Sequence, residues 1–136
     1  MVLMICGHPR SGTTLLQQLC DMHPDMAVTN EFGNFAFLGQ SYGTYARNIY
    51  DRWQRVQGKW AFDIAYAGNP NRMRRNNLWF ALRHLYHFGK HYRGRVTAVS
   101  LEATYRTMFP RATVVGDKWP HYLFRLDEFV QNEALT

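Results

Sequence analysis

Cysteine is scarce. Cys6 and Cys20 are the only two, without C-x-x-C spacing, which excludes a disulfide framework and a four-cysteine zinc site. Long apolar runs are missing too: none approaches the ~18 residues of a membrane-spanning helix. The short run Val2-Leu3-Met4-Ile5-Cys6 leads straight into a glycine-containing loop and reads as a strand rather than a signal peptide. Repeats, low-complexity tracts and linkers do not occur. One domain over residues 1–136 is therefore expected, large enough to bury roughly two thirds of its unfolded surface. Charged residues make up only 19% against 46% hydrophobic, which excludes wholesale disorder. Lysine is rare, three against thirteen arginines among sixteen basic residues, and the formal charge of +6 suits a polyanionic partner. The arginines are spread from Arg10 to Arg125 without a run of like charge, and no aromatic-basic RNA motif accompanies them. A soluble chain is expected, cytoplasmic if prokaryotic, with a lumenal catalytic domain as the alternative.

What is present centres on Gly7-His8-Pro9-Arg10-Ser11-Gly12-Thr13-Thr14, between that strand and a segment of helical periodicity. Two glycines separated by four residues let the backbone curl so that amides and a helix N-terminus converge on one anion. The spacing is that of the triphosphate-binding P-loop, G-x-x-x-x-G-K-[ST], whose lysine reaches the β/γ-phosphates. Here Thr13 occupies the lysine position and the cation lies inside the loop, at Arg10. The loop is arranged to grip an anion without the lysine that triphosphate chemistry uses.

The run Gly7 to Leu16 resembles the 5′-phosphosulfate loop of the sulfotransferases that use 3′-phosphoadenosine 5′-phosphosulfate (PAPS), in their P-R-S-G-T-T form. The resemblance implies an α/β fold, a P-loop-type three-layer sandwich with a parallel sheet flanked by helices. It implies PAPS as co-substrate, no metal, and an unidentified acceptor hydroxyl or amine as second partner. Gly7, His8, Pro9, Arg10, Ser11, Gly12, Thr13 and Thr14 would hold the phosphosulfate. Glu31 lies at a distance from the loop similar to that of the catalytic glutamate in the tyrosylprotein-type enzymes, past a like His-Pro-Asp turn, and is assigned general base. Gly116-Asp117-Lys118-Trp119-Pro120 resembles the family's G-D-K-x-P segment, which makes Lys118 the residue that neutralises the transferring or leaving group. The R-[DN]-P-R-D-like motif that takes the 3′-phosphate is not found, so the chain resembles the N-terminal part of such a domain, incomplete at its C-terminal side.

Along the chain, residues 11–22 carry Leu15, Leu16, Leu19, Cys20 and Met22 on one helical stripe, with Gln17, Gln18 and Asp21 off it. Pro24 ends that helix, and residues 26–29 read as a buried strand delivering Asn30 and Glu31 to the edge where open α/β sheets bind ligands. Residues 32–45 read as a mobile loop and helix entry over the site. Helices are expected over 42–56, over about 74–92 with Leu78, Leu82 and Leu85 inward, and over about 96–108. A loop is expected over 68–77. A strand over 112–116 delivers Asp117 and Lys118, and a last helix covers 121–131.

Other residues admit chemistry. His8, His23 and His121 are weaker alternatives for the base, since some sulfotransferases use histidine. Asp117 ends a strand as a magnesium-positioning Walker-B acid would, and a structural role is preferred for it. His84, His87 and His91 share a helical face at i, i+3, i+7, but no cysteine or acidic fourth ligand stands nearby. Two other functions compete: a P-loop kinase or nucleotidase, which needs lysine at position 13, and a noncatalytic anion or nucleic-acid binder using the basic surface.

Overall fold

The computed structural model describes residues 1–56 and 77–131. Among the described residues three strands form a parallel sheet: β1 (Val2–Ile5), β2 (Met26–Asn30) and β3 (Val114–Lys118), in the order β1-β3-β2. The third of these strands is thus the central one, as expected of a strand with buried residues on both faces. The helices are α1 (Thr13–Asp21), α2 (Tyr42–Val56), α3 (Asn77–His91), α4 (Ala98–Met108) and α5 (Leu126–Gln131), with 3-10 turns at Asn34–Phe37 and Pro120–Arg125. This is the α/β architecture with a helix-flanked parallel sheet that the sequence implied. Among the described residues no helix is long and apolar enough to cross a membrane.

The register places Ile5 beside Lys118 and Lys118 beside Asn30. The C-terminal ends of all three strands therefore lie in one row, and the segments that follow β1 and β2 leave from the same edge. Between β2 and β3 the helices α2, α3 and α4 build an aromatic core. Phe32, Phe35, Tyr45, Phe80, Phe88, Tyr105, Phe109 and Tyr122 are all buried, with edge-on contacts such as Phe32–Phe80 at 5.2 Å. Helix α4 begins at Ala98 because Thr97 caps it: Ser100 N–H donates to Thr97 Oγ1 at 3.1 Å, and Thr97 N–H donates to Ser100 Oγ at 3.0 Å.

Four expectations need correcting. The apolar stripe of α1 faces outward, with Leu15 61% and Leu19 55% exposed, while Gln17 and Asp21 are buried. Polar chemistry explains the reversal at Gln17, whose Nε2 donates to the Val28 carbonyl at 2.6 Å. Glu31 N–H bonds Lys118 O across the ladder. Backbone groups on one edge of a strand alternate, so the Val28 carbonyl points away from β3 and requires a partner of its own. Second, the first part of the segment expected as a mobile loop over the site is core: Phe32, Gly33, Asn34, Phe35 and Ala36 are buried in and just before a 3-10 turn, while the helix entry follows at Tyr42 as expected. Third, α3 buries Phe80, Ala81, His84 and Phe88, whereas Leu78 and Leu82 are exposed. Fourth, β3 runs to Lys118, so Asp117 and Lys118 belong to the strand itself, and the expected last helix is a 3-10 turn followed by the short α5. The expected loop over 68–77, like the start of the helix placed at 74, lies outside the described residues except for Asn77, which opens α3.

Candidate active site

At the strand ends, Lys118 Nζ donates to Glu31 Oε1 at 2.8 Å. The two residues singled out from separate segments of sequence thus meet as one ion pair. Their surroundings differ, since the lysine side chain is 1% exposed and the glutamate side chain 25%. Of the two, Glu31 is the one accessible to solvent.

The backbone at Glu31 is held in the left-handed region, φ 57°. Only one other non-glycine among the described residues has positive φ, and that is Arg10, at 66°. Such conformations cost about 1 kcal/mol or more and persist where neighbours over-determine them. For Glu31 the neighbours are visible. Its N–H donates to Lys118 O at 2.6 Å, while Arg52 Nε and Nη2 donate to its carbonyl at 2.8 and 2.5 Å. The next two amides, Phe32 and Gly33, donate to Asp117 Oδ1 and Oδ2 at 3.0 and 2.8 Å.

Asp117 is fully buried and also accepts from Thr29 Oγ1 and Tyr122 Oη, each at 2.7 Å. Burial raises its pKa above the ordinary carboxylate value, while those hydrogen bonds and the Arg52 charge pull it back. Its carboxylate holds the turn that presents Glu31. Arg52 lies over the Trp119 ring, 4.6 Å from the centroid, and burial lowers its pKa against the pull of Asp117. Gly33, at φ 71°, makes room for it: a Cβ there would sit 2.9 Å from Arg52 Nε.

The glycine loop follows β1 at the same edge, where Trp119 N–H donates to Ile5 O at 3.0 Å. Ser11 N–H closes a turn on His8 O at 3.1 Å, and Gly12 caps α1 at φ 82° with no side chain bonded to the first-turn amides. Those amides have no intrahelical partner and are available to an anion. The space beside Gly7 is tight, since a Cβ would lie 2.9 Å from both Ser11 Oγ and Thr13 Cγ2. Arg10 is exposed at the loop's tip. It shares the edge with Glu31 and Lys118 but makes no contact with them.

The remaining candidates lie apart from this pair. His8 Nδ1 sits 3.0 Å from Pro9 O, His23 Nδ1 accepts from Asp25 N–H at 3.2 Å, and His121 packs against Trp119 and Phe124. On α3, His84 Nε2 meets Tyr45 Oη at 2.7 Å inside the core, while His91 Nε2 meets Thr107 Oγ1 at 3.0 Å on α4. Among the described residues no group of three or more His, Cys, Asp or Glu is gathered as a metal site.

Sequence reasoning passed over Arg52. Its signal was its place on α2, since Tyr45, Ile49 and Arg52 stand at i, i+4, i+7, and a charged residue on a buried stripe implies a partner.

No curated protein and no solved structure matches the chain significantly. Residues 3–131 match the family model described as the sulfotransferase family. That span covers most of the sequence and includes the loop, Glu31, Arg52 and Lys118; the chain belongs to the sulfotransferase family.

Proposed function

We propose that the chain transfers a sulfuryl group from PAPS to an acceptor hydroxyl or amine, with Glu31 as general base and Lys118 and Arg10 as the cations that stabilise the displaced group. The observation that carries this reading is the Glu31–Lys118 pair, 2.8 Å apart at the sheet edge from which the glycine loop departs.

The loop suits a phosphosulfate. It offers the uncapped amides of Thr13 and Thr14, the guanidinium of Arg10, and a floor at Gly7 too narrow for a side chain. Ser11 to Thr14 and Arg10 hold the donor's 5′ end. Glu31 Oε takes the proton from the acceptor as the acceptor's oxygen or nitrogen bonds to sulfur. The bond from sulfur to the bridging oxygen breaks, 3′,5′-diphosphoadenosine departs, and the negative charge left on its 5′-phosphate falls to Arg10, Lys118 and the loop amides. Preorganised donors of this kind lower a barrier by about 3 kcal/mol each. Thr13, standing where triphosphate enzymes place lysine, favours this donor over ATP.

The test is transfer of labelled sulfate from PAPS to an acceptor panel. Arg10→Ala and Glu31→Gln should each lower turnover by roughly 100-fold or more. Transfer at the wild-type rate by either variant overturns its residue's role, and magnesium-dependent ATP turnover in place of sulfate transfer overturns the reaction.

A further inference from the structure

We infer that Arg52 is a positioning residue for this site: by chelating the Glu31 carbonyl it holds the base in its left-handed conformation and keeps the carboxylate on Lys118. The inference rests on the assignment of Glu31 as base.

Three observations converge. Both Arg52 Nε and Nη2 donate to one acceptor, Glu31 O, at 2.8 and 2.5 Å, and charge-assisted bonds are stronger than neutral ones. The guanidinium plane is fixed by Trp119 at 4.6 Å, the residue directly after Lys118. Gly33, two residues after the base, carries no side chain in the space the guanidinium fills. Arg52 therefore reads both halves of the site, the β2 turn through a carbonyl and the β3 end through an aromatic ring.

The pinning has a direction. Glu31 N–H is tied to Lys118 O and Glu31 C=O to Arg52, so the residue is clamped at both peptide groups. Released at the carbonyl, a non-glycine residue relaxes toward negative φ. That rotation swings Cβ, and the carboxylate with it, away from Lys118 Nζ. A lysine at position 52 retains the charge but offers a single donor atom and no planar face, so it cannot reproduce the clamp.

The test is a double-mutant cycle on acceptor turnover with Arg52→Lys, Glu31→Gln and the pair. Calorimetric binding of 3′,5′-diphosphoadenosine and melting temperature are measured on every variant. Misplacing a catalytic group costs roughly 10- to 100-fold, and Arg52→Lys should lower kcat by that factor while nucleotide binding stays within about 2-fold. On the Glu31→Gln background the same change should have almost no further effect, because a residue acting through the carboxylate has nothing left to position. A crystal structure of Arg52→Lys supplies a readout independent of activity, in which Glu31 should return to negative φ and lose its contact with Lys118.

An equal loss on both backgrounds, or a loss confined to nucleotide affinity, overturns the inference. So does a variant structure with Glu31 unmoved. If Glu31→Gln turns over at the wild-type rate, the base assignment itself fails. If Glu31→Gln is inactive while Arg52→Lys matches wild type, the base stands and only the positioning role falls.

Discussion

Glu31 and Lys118 share one ion pair but not one environment, and removing either leaves a different orphan. Glu31→Ala strands an ammonium in a site 1% exposed, where an unpaired charge costs roughly 3 kcal/mol. Lys118→Met leaves a carboxylate that is already 25% exposed and can turn to water, while the methionine fills the lysine's buried path. Its cost should stay under about 1 kcal/mol. Urea unfolding of the two variants checks the order, and equal losses would contradict the burial asymmetry. Both variants should lose transfer, so activity and stability separate at Lys118. The segments around Glu31 and Lys118 were legible in the sequence because a strand end and a charged residue next to each other read locally. Arg52 was not, because its partner is a backbone carbonyl twenty-one positions away, and carbonyls carry no residue identity.

Elements were legible where a pattern had one physical meaning. The apolar run before Gly7 and the run before Asp117 became adjacent parallel strands, and the periodicity of residues 42–56 became α2 with those bounds. Periodicity failed to say which face turns inward when two faces competed. In α3 the spacing Phe80, His84, Phe88 at i, i+4, i+8 buries large rings beside Phe32 and Tyr45, and it displaces Leu78 and Leu82 to the surface while Leu85 stays partly buried against the core. In α1 the outcome is set by hydrogen bonding, since Gln17 serves a sheet carbonyl that none of the described strands serves. The prediction at this scale is an inversion of the usual rule. Gln17→Leu should destabilise by about 1–3 kcal/mol, because it leaves the buried Val28 carbonyl unpaired. Leu15→Gln and Leu19→Gln should each change stability by less than about 0.5 kcal/mol. Thermal melts decide it, and a stabilising Gln17→Leu would place the helix's inward face where the sequence pattern alone put it.

Across the whole molecule, a series of buried polar contacts runs from the helical block to the sheet edge. His84 meets Tyr45, Tyr105 reaches Asn34 and Thr29, and Thr29 and Tyr122 donate to Asp117. The ionisable groups near its two ends answer pH in opposite senses. Full burial lowers the pKa of His84 from 6.5 to about 3, with His87 adding to the effect. A folded pKa below the unfolded one means the stability from the neutral ring is complete above 6.5 and is lost as pH falls from there toward 3, at about 1.4 kcal/mol per pH unit. Asp117 has its pKa raised, so its contribution is complete below 3.8 and is lost as pH rises through its folded value. Where the two ranges overlap they offset each other, and only a comparison with a variant that lacks the imidazole isolates His84. His84→Phe keeps a ring against Phe32 and Phe88 and removes the titration. The lost bond to Tyr45 Oη adds a cost that does not change with pH, and surface groups such as Glu102 titrate alike in both proteins. The stability difference between wild type and His84→Phe should therefore shift by about 2 kcal/mol against the wild type from pH 7 to pH 5. Urea midpoints across that range measure it. A difference that does not change with pH would mean that His84 titrates as it does in the unfolded chain, and that the core around Tyr45 admits water.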